Sequence, residues 1–278
     1  TVTVTKDGCS NSGSRAITVT PKPVINLGAA TTICSGDPIT LDAGNAGATY
    51  SWSPGGATTQ SITVNPTVNT TYTVTVTKDG CSNSGSRAIT VTPKPVINLG
   101  AATTICSGDP ITLDAGNAGA TYSWSPGGAT TQSITVNPTV NTTYTVTVTK
   151  DGCSNSGSRA ITVTPKPVIN LGAATTICSG DPITLDAGNA GATYSWSPGG
   201  ATTQSITVNP TVNTTYTVTV TKDGCSNSGS RAITVTPKPV INLGAATTIC
   251  SGDPITLDAG NAGATYSWSP GGATTQSI

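Results

Sequence analysis

Thr70-Thr71-Tyr72-Thr73-Val74-Thr75-Val76-Thr77 is the stretch on which the fold turns. Tyr72, Val74 and Val76 occupy every second position, with threonines between them. Successive side chains of an extended strand point to opposite faces, so this stretch presents one apolar face and one hydroxyl face. β-Branched and aromatic residues favour that geometry. The pattern predicts a strand of an antiparallel sheet, with one face on a core and the other in water.

Shorter versions of the pattern lie on both sides. Ile39 and Leu41 flank Thr40, Ile62 and Val64 flank Thr63, and Ile89 and Val91 alternate with Ala88, Thr90 and Thr92. Tyr50-Ser51-Trp52 puts two aromatics on one side of a strand. Val24 to Leu27 and Thr31 to Ile33 read as one strand broken at Gly28. Strong turn formers separate these stretches: Ser35-Gly36-Asp37-Pro38, Gly44-Asn45-Ala46-Gly47, Pro54-Gly55-Gly56 and Lys78-Asp79-Gly80. Asn65-Pro66 to Asn69 makes a longer corner, and Lys78 to Ser86 reads as a long hairpin. Short strands at this spacing, with no helical period, predict an all-β, two-sheet sandwich.

The whole set recurs. Thr1 to Tyr72 returns at Thr73, Thr145 and Thr217, an offset of 72 residues without a substitution. Thr92-Pro93-Lys94-Pro95 reads as a short stiff linker, because proline fixes φ and lacks an N–H. It sets the expected boundaries: complete units at 24–95, 96–167 and 168–239, a partial unit with the last strands at 1–23, and one with the first strands at 240–278. A chain that begins and ends inside a repeat reads as a segment of a longer array.

Composition narrows the function. Lys+Arg and Asp+Glu both number 12, and only 9% of residues are charged. No basic patch exists for nucleic acid, and no apolar run of membrane-spanning length occurs. His is absent, so the usual general base and the commonest metal ligand are both missing. Asp37 and Asp42 sit at opposite ends of a short strand and do not converge as a hydrolytic pair. Asp37, Asp42, Asp79 and Asn45 carry oxygen donors of the kind calcium needs, but they are equally the residues that turns use. The expectation is no enzyme, no cofactor and no metal.

Eight cysteines occur, two per 72-residue period, with neither a C-x-x-C pair nor a His. An even count in small β-units points to disulfides and an extracellular, oxidising location.

Four motifs in order carry a resemblance. Cys34-Ser-Gly-Asp-Pro-Ile-Thr-Leu41, Tyr50-Ser-Trp52, Thr70 to Thr77 and Asp79-Gly-Cys81 resemble the immunoglobulin-like and PKD-like repeats of large secreted surface proteins of Bacteroidetes-type bacteria, the gliding adhesins among them. The resemblance implies a tandem array of small immunoglobulin-like sandwiches, export, and a surface role. It implies that Trp52, Trp124 and Trp196 are core tryptophans of strand C. Tyr72, Tyr144 and Tyr216 then stand at the start of strand F, as tyrosine corners or as plain core fillers.

It also bears on the cysteines. In an immunoglobulin-like sandwich Cys34 lies at the A–B turn near the exit pole, and Cys81 lies in the F–G hairpin at the entry pole. Three pairings are open: within a unit as Cys34–Cys81, across the linker as Cys81–Cys106, or from one unit to the next. The last is the expectation, as Cys34–Cys153 and Cys106–Cys225, because the exit pole of one unit faces the entry pole of the next. Cys9, Cys81, Cys178 and Cys250 then have partners beyond this sequence. The function these readings point to is a structural fibre, stalk or filament of identical domains on a bacterial surface, self-associating through neighbouring repeats or neighbouring chains. The rival is an adhesin module whose repeats each hold a glycan or protein.

Overall fold

The computed structural model describes all residues from 1 to 278 and contains strands but no helix. A hairpin opens the chain, β1 (Val2–Lys6) and β2 (Cys9–Gly13). Six strands follow: β3 (Thr31–Cys34), β4 (Ile39–Asp42), β5 (Thr49–Ser53), β6 (Ser61–Val64), β7 (Thr70–Lys78) and β8 (Cys81–Thr92). The six recur as β9 (Thr103–Cys106), β10 (Ile111–Asp114), β11 (Thr121–Ser125), β12 (Ser133–Val136), β13 (Thr142–Lys150) and β14 (Cys153–Thr164). They recur again as β15 (Thr175–Cys178), β16 (Ile183–Asp186), β17 (Thr193–Ser197), β18 (Ser205–Val208), β19 (Thr214–Lys222) and β20 (Cys225–Thr236). The chain forms two compact units, one of Thr1–Thr103 with Pro110–Thr162, the other of Thr104–Asp109 with Val163–Ile278.

In the repeat from β3 to β8, β3-β8-β7-β5 make one sheet and β4-β6 the other. β7 runs antiparallel to both β5 and β8, whereas β3 joins the edge of β8 in parallel. That order matches strands A, G, F and C facing strands B and E. The chain is an array of immunoglobulin-like sandwiches.

The alternation at Thr70–Thr77 does what its period requires. Tyr72, Val74 and Val76 are buried, and with Leu27, Leu41, Ala43, Trp52 and Ile89 they form the core. Trp52 faces Val74 across the sheet and Tyr50 faces Val76. The threonines point out, and their row continues sideways: Thr75 hydrogen-bonds Ser84 at 3.0 Å and Thr77 bonds Ser82 at 2.8 Å.

Three expectations need correction. Val24 to Leu27 is not part of a strand. It crosses the inner face of β8, held by side chains instead of a backbone ladder. Asn83 Nδ2 donates to Pro23 O, and Arg87 donates from Nη1 to Leu27 O and from Nε to Ala29 O. Gly85, between them, leaves the room that Ile25 fills: a Cβ there would stand 2.6 Å from Ile25 Cγ2. The long hairpin from Lys78 to Ser86 is instead a two-residue turn. Asp79 and Gly80 have φ of 49° and 79°, the left-handed pair of a tight hairpin, and Lys78 already faces Cys81. Finally, the hydroxyl that closes onto a corner belongs to Tyr50, which donates to Gly44 O and Asn45 O at 2.8 and 2.7 Å. Tyr72 fills the core opposite Arg87.

The second unit repeats this plan in β15 to β20, with sheets β15-β20-β19-β17 and β16-β18 around Trp196, Tyr216, Val218 and Val220. Residues 240–278 keep their turns but carry only one isolated bridge, Asp258 to Ser277.

Candidate functional site

The residues that carry chemistry gather where one 72-residue repeat follows another. Cys34 ends β3 beside the end of β8, and Ser35 N donates to Thr92 O at 2.9 Å. Cys153 begins β14, immediately after the tight turn that follows β13. The hairpin brings the two together: Cys34 and Cys153 form a disulfide with an S–S distance of 1.98 Å, and Cys153 Sγ lies 3.8 Å from Thr92 O.

The linker beneath is pinned. Lys94 Nζ lies 2.6 Å from Asp37 Oδ1, so the lysine between the prolines returns to the turn that follows Cys34. Beyond it, Val96 O accepts from Asn117 Nδ2 at 2.8 Å and Pro95 O from Asn155 Nδ2 at 2.9 Å. Lys150 Nζ donates to Ala118 O at 3.1 Å. Pro93, Lys94, Pro95, Val96, Asn117, Lys150 and Asp151 line an open cavity of about 280 Å³.

The second unit carries the same arrangement. Cys106 and Cys225 form a disulfide of 2.01 Å, and Lys166 Nζ lies 2.6 Å from Asp109 Oδ1. Lys238 pairs with Asp181 at 2.7 Å, and that hydrogen bond and charge hold its ammonium above the ordinary lysine range.

Of the other cysteines, Cys9, Cys178 and Cys250 are exposed thiols and Cys81 is half-buried. Trp52, Trp124 and Trp196 are buried, and each indole N–H donates to a backbone carbonyl, Thr59 O, Thr131 O and Thr203 O respectively. Tyr72, Tyr144 and Tyr216 are buried beside them.

The aspartates serve turns and ion pairs. Asp42 Oδ1 accepts from Gly44 N at 2.8 Å and from Gln60 Nε2 at 3.1 Å. These bonds, the backbone one first, hold its carboxyl below the usual range, and Asp114, Asp186 and Asp258 are lowered in the same way. Asp37, read in the sequence as a turn residue and as an oxygen donor of the kind calcium needs, pairs with Lys94.

No protein-family model matches this chain, and no curated protein matches it. Solved structures of tandem immunoglobulin domains do. A three-domain I-band fragment of titin is 14% identical, covering 75% of this chain and 95% of that one, with a TM-score of 0.34. The N-terminal eight domains of Down Syndrome Cell Adhesion Molecule are 15% identical, covering 82% and 37%, at 0.36. Extracellular domains 3–5 of Drosophila OTK are 11% identical, covering 80% and 100%, at 0.28.

Proposed function

We propose that this chain is a stretch of an extracellular bacterial surface fibre, in which immunoglobulin-like units at 24–95, 96–167 and 168–239 serve as identical load-bearing links. The observation that carries the reading is the cross-repeat disulfide, which occurs twice with the same partners 119 residues apart. A bond from each repeat to the next bypasses the Pro-Lys-Pro linker, and repetition without variation suits a spacer whose useful property is length. Disulfides fit an oxidising, extracellular setting. No helix of the chain is long and apolar enough to cross a membrane. An adhesin of ligand-holding repeats calls for aromatics exposed in loops, but the aromatics of the complete repeats lie on β5, β7 and their equivalents, buried or half-buried.

Electron microscopy of the oxidised chain tests the reading. A β-strand rises about 3.3 Å per residue, so a sandwich with its turns and linker gives a step on the order of 35–45 Å along a thread. A globular cluster, or a step of half that size, overturns the fibre.

A further inference from the structure

The asparagines of a repeat are not used alike. In the repeat at 24–95 they are Asn26, Asn45, Asn65, Asn69 and Asn83. Three of them commit the amide nitrogen to backbone carbonyls. Asn45 Nδ2 donates to Val24 O and Ala43 O, Asn65 Nδ2 to Gly36 O, and Asn83 Nδ2 to Pro23 O. Asn26 and Asn69 are held by the oxygen instead: Asn26 Oδ1 accepts from Gly28 N at 2.9 Å, and Asn69 Oδ1 from Val91 N at 2.7 Å.

Of these two, Asn69 has a hydroxyl two residues on. Asn26 is followed by Leu27-Gly28, and Asn69 by Thr70-Thr71; Asn65-Pro66-Thr67 has the threonine but also a proline between. Asparagine, a residue other than proline, then serine or threonine is the pattern that asparagine glycosylation reads. Thr70 Oγ1 is tied to Val68 O at 2.8 Å, whereas Thr71 stands exposed on the outer face of β7. Asn69 is itself exposed, in the corner between β6 and β7, beside Val68, which is 68% exposed. The repeat at 168–239 has the same geometry. Asn213 Oδ1 accepts from Val235 N at 2.7 Å, Thr214 Oγ1 donates to Val212 O at 2.8 Å, and Val212 is 68% exposed.

We propose that the amide nitrogens of Asn69 and Asn213, and of Asn141 at the same place in the repeat between them, carry glycans. The bond from Val91 N holds Asn69 by its oxygen and leaves its nitrogen to solvent. An N-glycosyl amide keeps that oxygen as an acceptor, so the corner stays closed. The donor is a glycosyl diphosphate, linked to a nucleotide or to a lipid. Nδ2 attacks the anomeric carbon and gives up one proton. The new C–N bond forms as the C–O bond to the diphosphate breaks, and the nucleotide or lipid diphosphate leaves with that electron pair. In a chain with 9% charged residues, a sugar on every repeat supplies surface hydration that charges otherwise supply. The inference rests on the fibre reading, to which it adds a hydrated coat.

Mass spectrometry of the fibre from the cells that make it tests the site. After reduction, trypsin releases the stretch from Ala16 to Lys78 and its copies at 88–150 and 160–222 as identical peptides, each with one Asn-Thr-Thr. Fragmentation should place a sugar on that asparagine. Unmodified peptide, or sugar on another residue of it, overturns the proposal. Full-chain variants separate recognition from structure. Thr71→Ala with Thr143→Ala and Thr215→Ala should abolish the glycan, and Thr71→Ser with Thr143→Ser and Thr215→Ser should retain it. A glycan that survives alanine, or that serine does not support, overturns the assignment. Extracts of the same cells distinguish the donors. With UDP-glucose as probe, the membrane-free fraction should modify the purified full chain if the donor is a nucleotide sugar; the membrane fraction, with its own lipid-linked sugars, should do so if it is a lipid. Transfer by neither overturns Asn69 as an acceptor. None of these results alters the disulfides or the repeat step, so the fibre reading stands or falls separately.

Discussion

Cys34 and Cys153 stand 119 residues apart in the chain and 5.5 Å apart at their α-carbons. Closing a loop of that length restricts the unfolded chain, and disulfides of this kind contribute about 2–4 kcal/mol. Cys34→Ser with Cys153→Ser is therefore expected to lower the unfolding free energy of the first unit by that amount, seen as a lower denaturant midpoint. An unchanged midpoint would mean that the bond joins parts already held together by packing.

Trp52 has a separate test. It is 1% exposed, and its indole donates to Thr59 O at 2.8 Å. Trp52→Ala should cost about 3–5 kcal/mol. Because the repeats are identical, the loss should appear as one early unfolding step while the other repeats melt as before. A variant with the parental melting profile would remove Trp52 from the core.

Gly85 should resist any side chain. With Ile25 Cγ2 only 2.6 Å from a Cβ at that position, Gly85→Ala is expected to lift the Pro23–Ala29 crossing off β8 at a cost of about 1–3 kcal/mol. Pairing it with Ile25→Ala should recover part of the loss, a coupling that a double-mutant cycle in denaturant measures. Strict additivity would show that the two residues do not meet.

Acid should weaken the fold through the Asp42 turn and its copies. Those carboxyls are lowered in the folded chain, so the unfolded chain binds protons first and takes up more of them as pH falls. Their contribution is complete above the ordinary aspartate value near 3.8 and is lost as pH drops through the lowered one. Asp42→Asn with Asp114→Asn and Asp186→Asn keeps an acceptor for the glycine N–H but removes the titration. The denaturant midpoint of that variant should vary less with pH below about 4. An identical acid limb in both proteins would place the sensitivity elsewhere.

Much of this was legible in the residues because the strands obey one period. Tyr72, Val74 and Val76 alternate, and so do Ile39 and Leu41. Strands β4, β6 and β7 lie within a residue or so of where those patterns put them. What escaped was polar. Asn83, Gly85 and Arg87 keep step with Ile89 and Val91 and so share their inner face, yet none is apolar. Asn83 and Arg87 donate to the backbone carbonyls of Pro23, Leu27 and Ala29, and Gly85 makes room for Ile25, none of which a hydropathy pattern can register. The choice between Tyr50 and Tyr72 was hidden for a related reason: which hydroxyl reaches a corner depends on the distance to Gly44 O, and both tyrosines sit in similar alternating strands.

The two cross-links overlap in sequence, since Cys106 falls inside the loop closed by Cys34 and Cys153, and Cys153 falls inside the loop closed by Cys106 and Cys225. The shortest covalent route from Thr1 to Ile278 therefore leaves the backbone. It runs forward to Cys34, crosses to Cys153, returns to Cys106, crosses to Cys225 and goes on to the end. Drawn taut at about 3.3–3.6 Å per residue, that zigzag reaches roughly half the length of the reduced chain. A protease that cuts any one peptide bond between Cys34 and Cys225 leaves a single molecule.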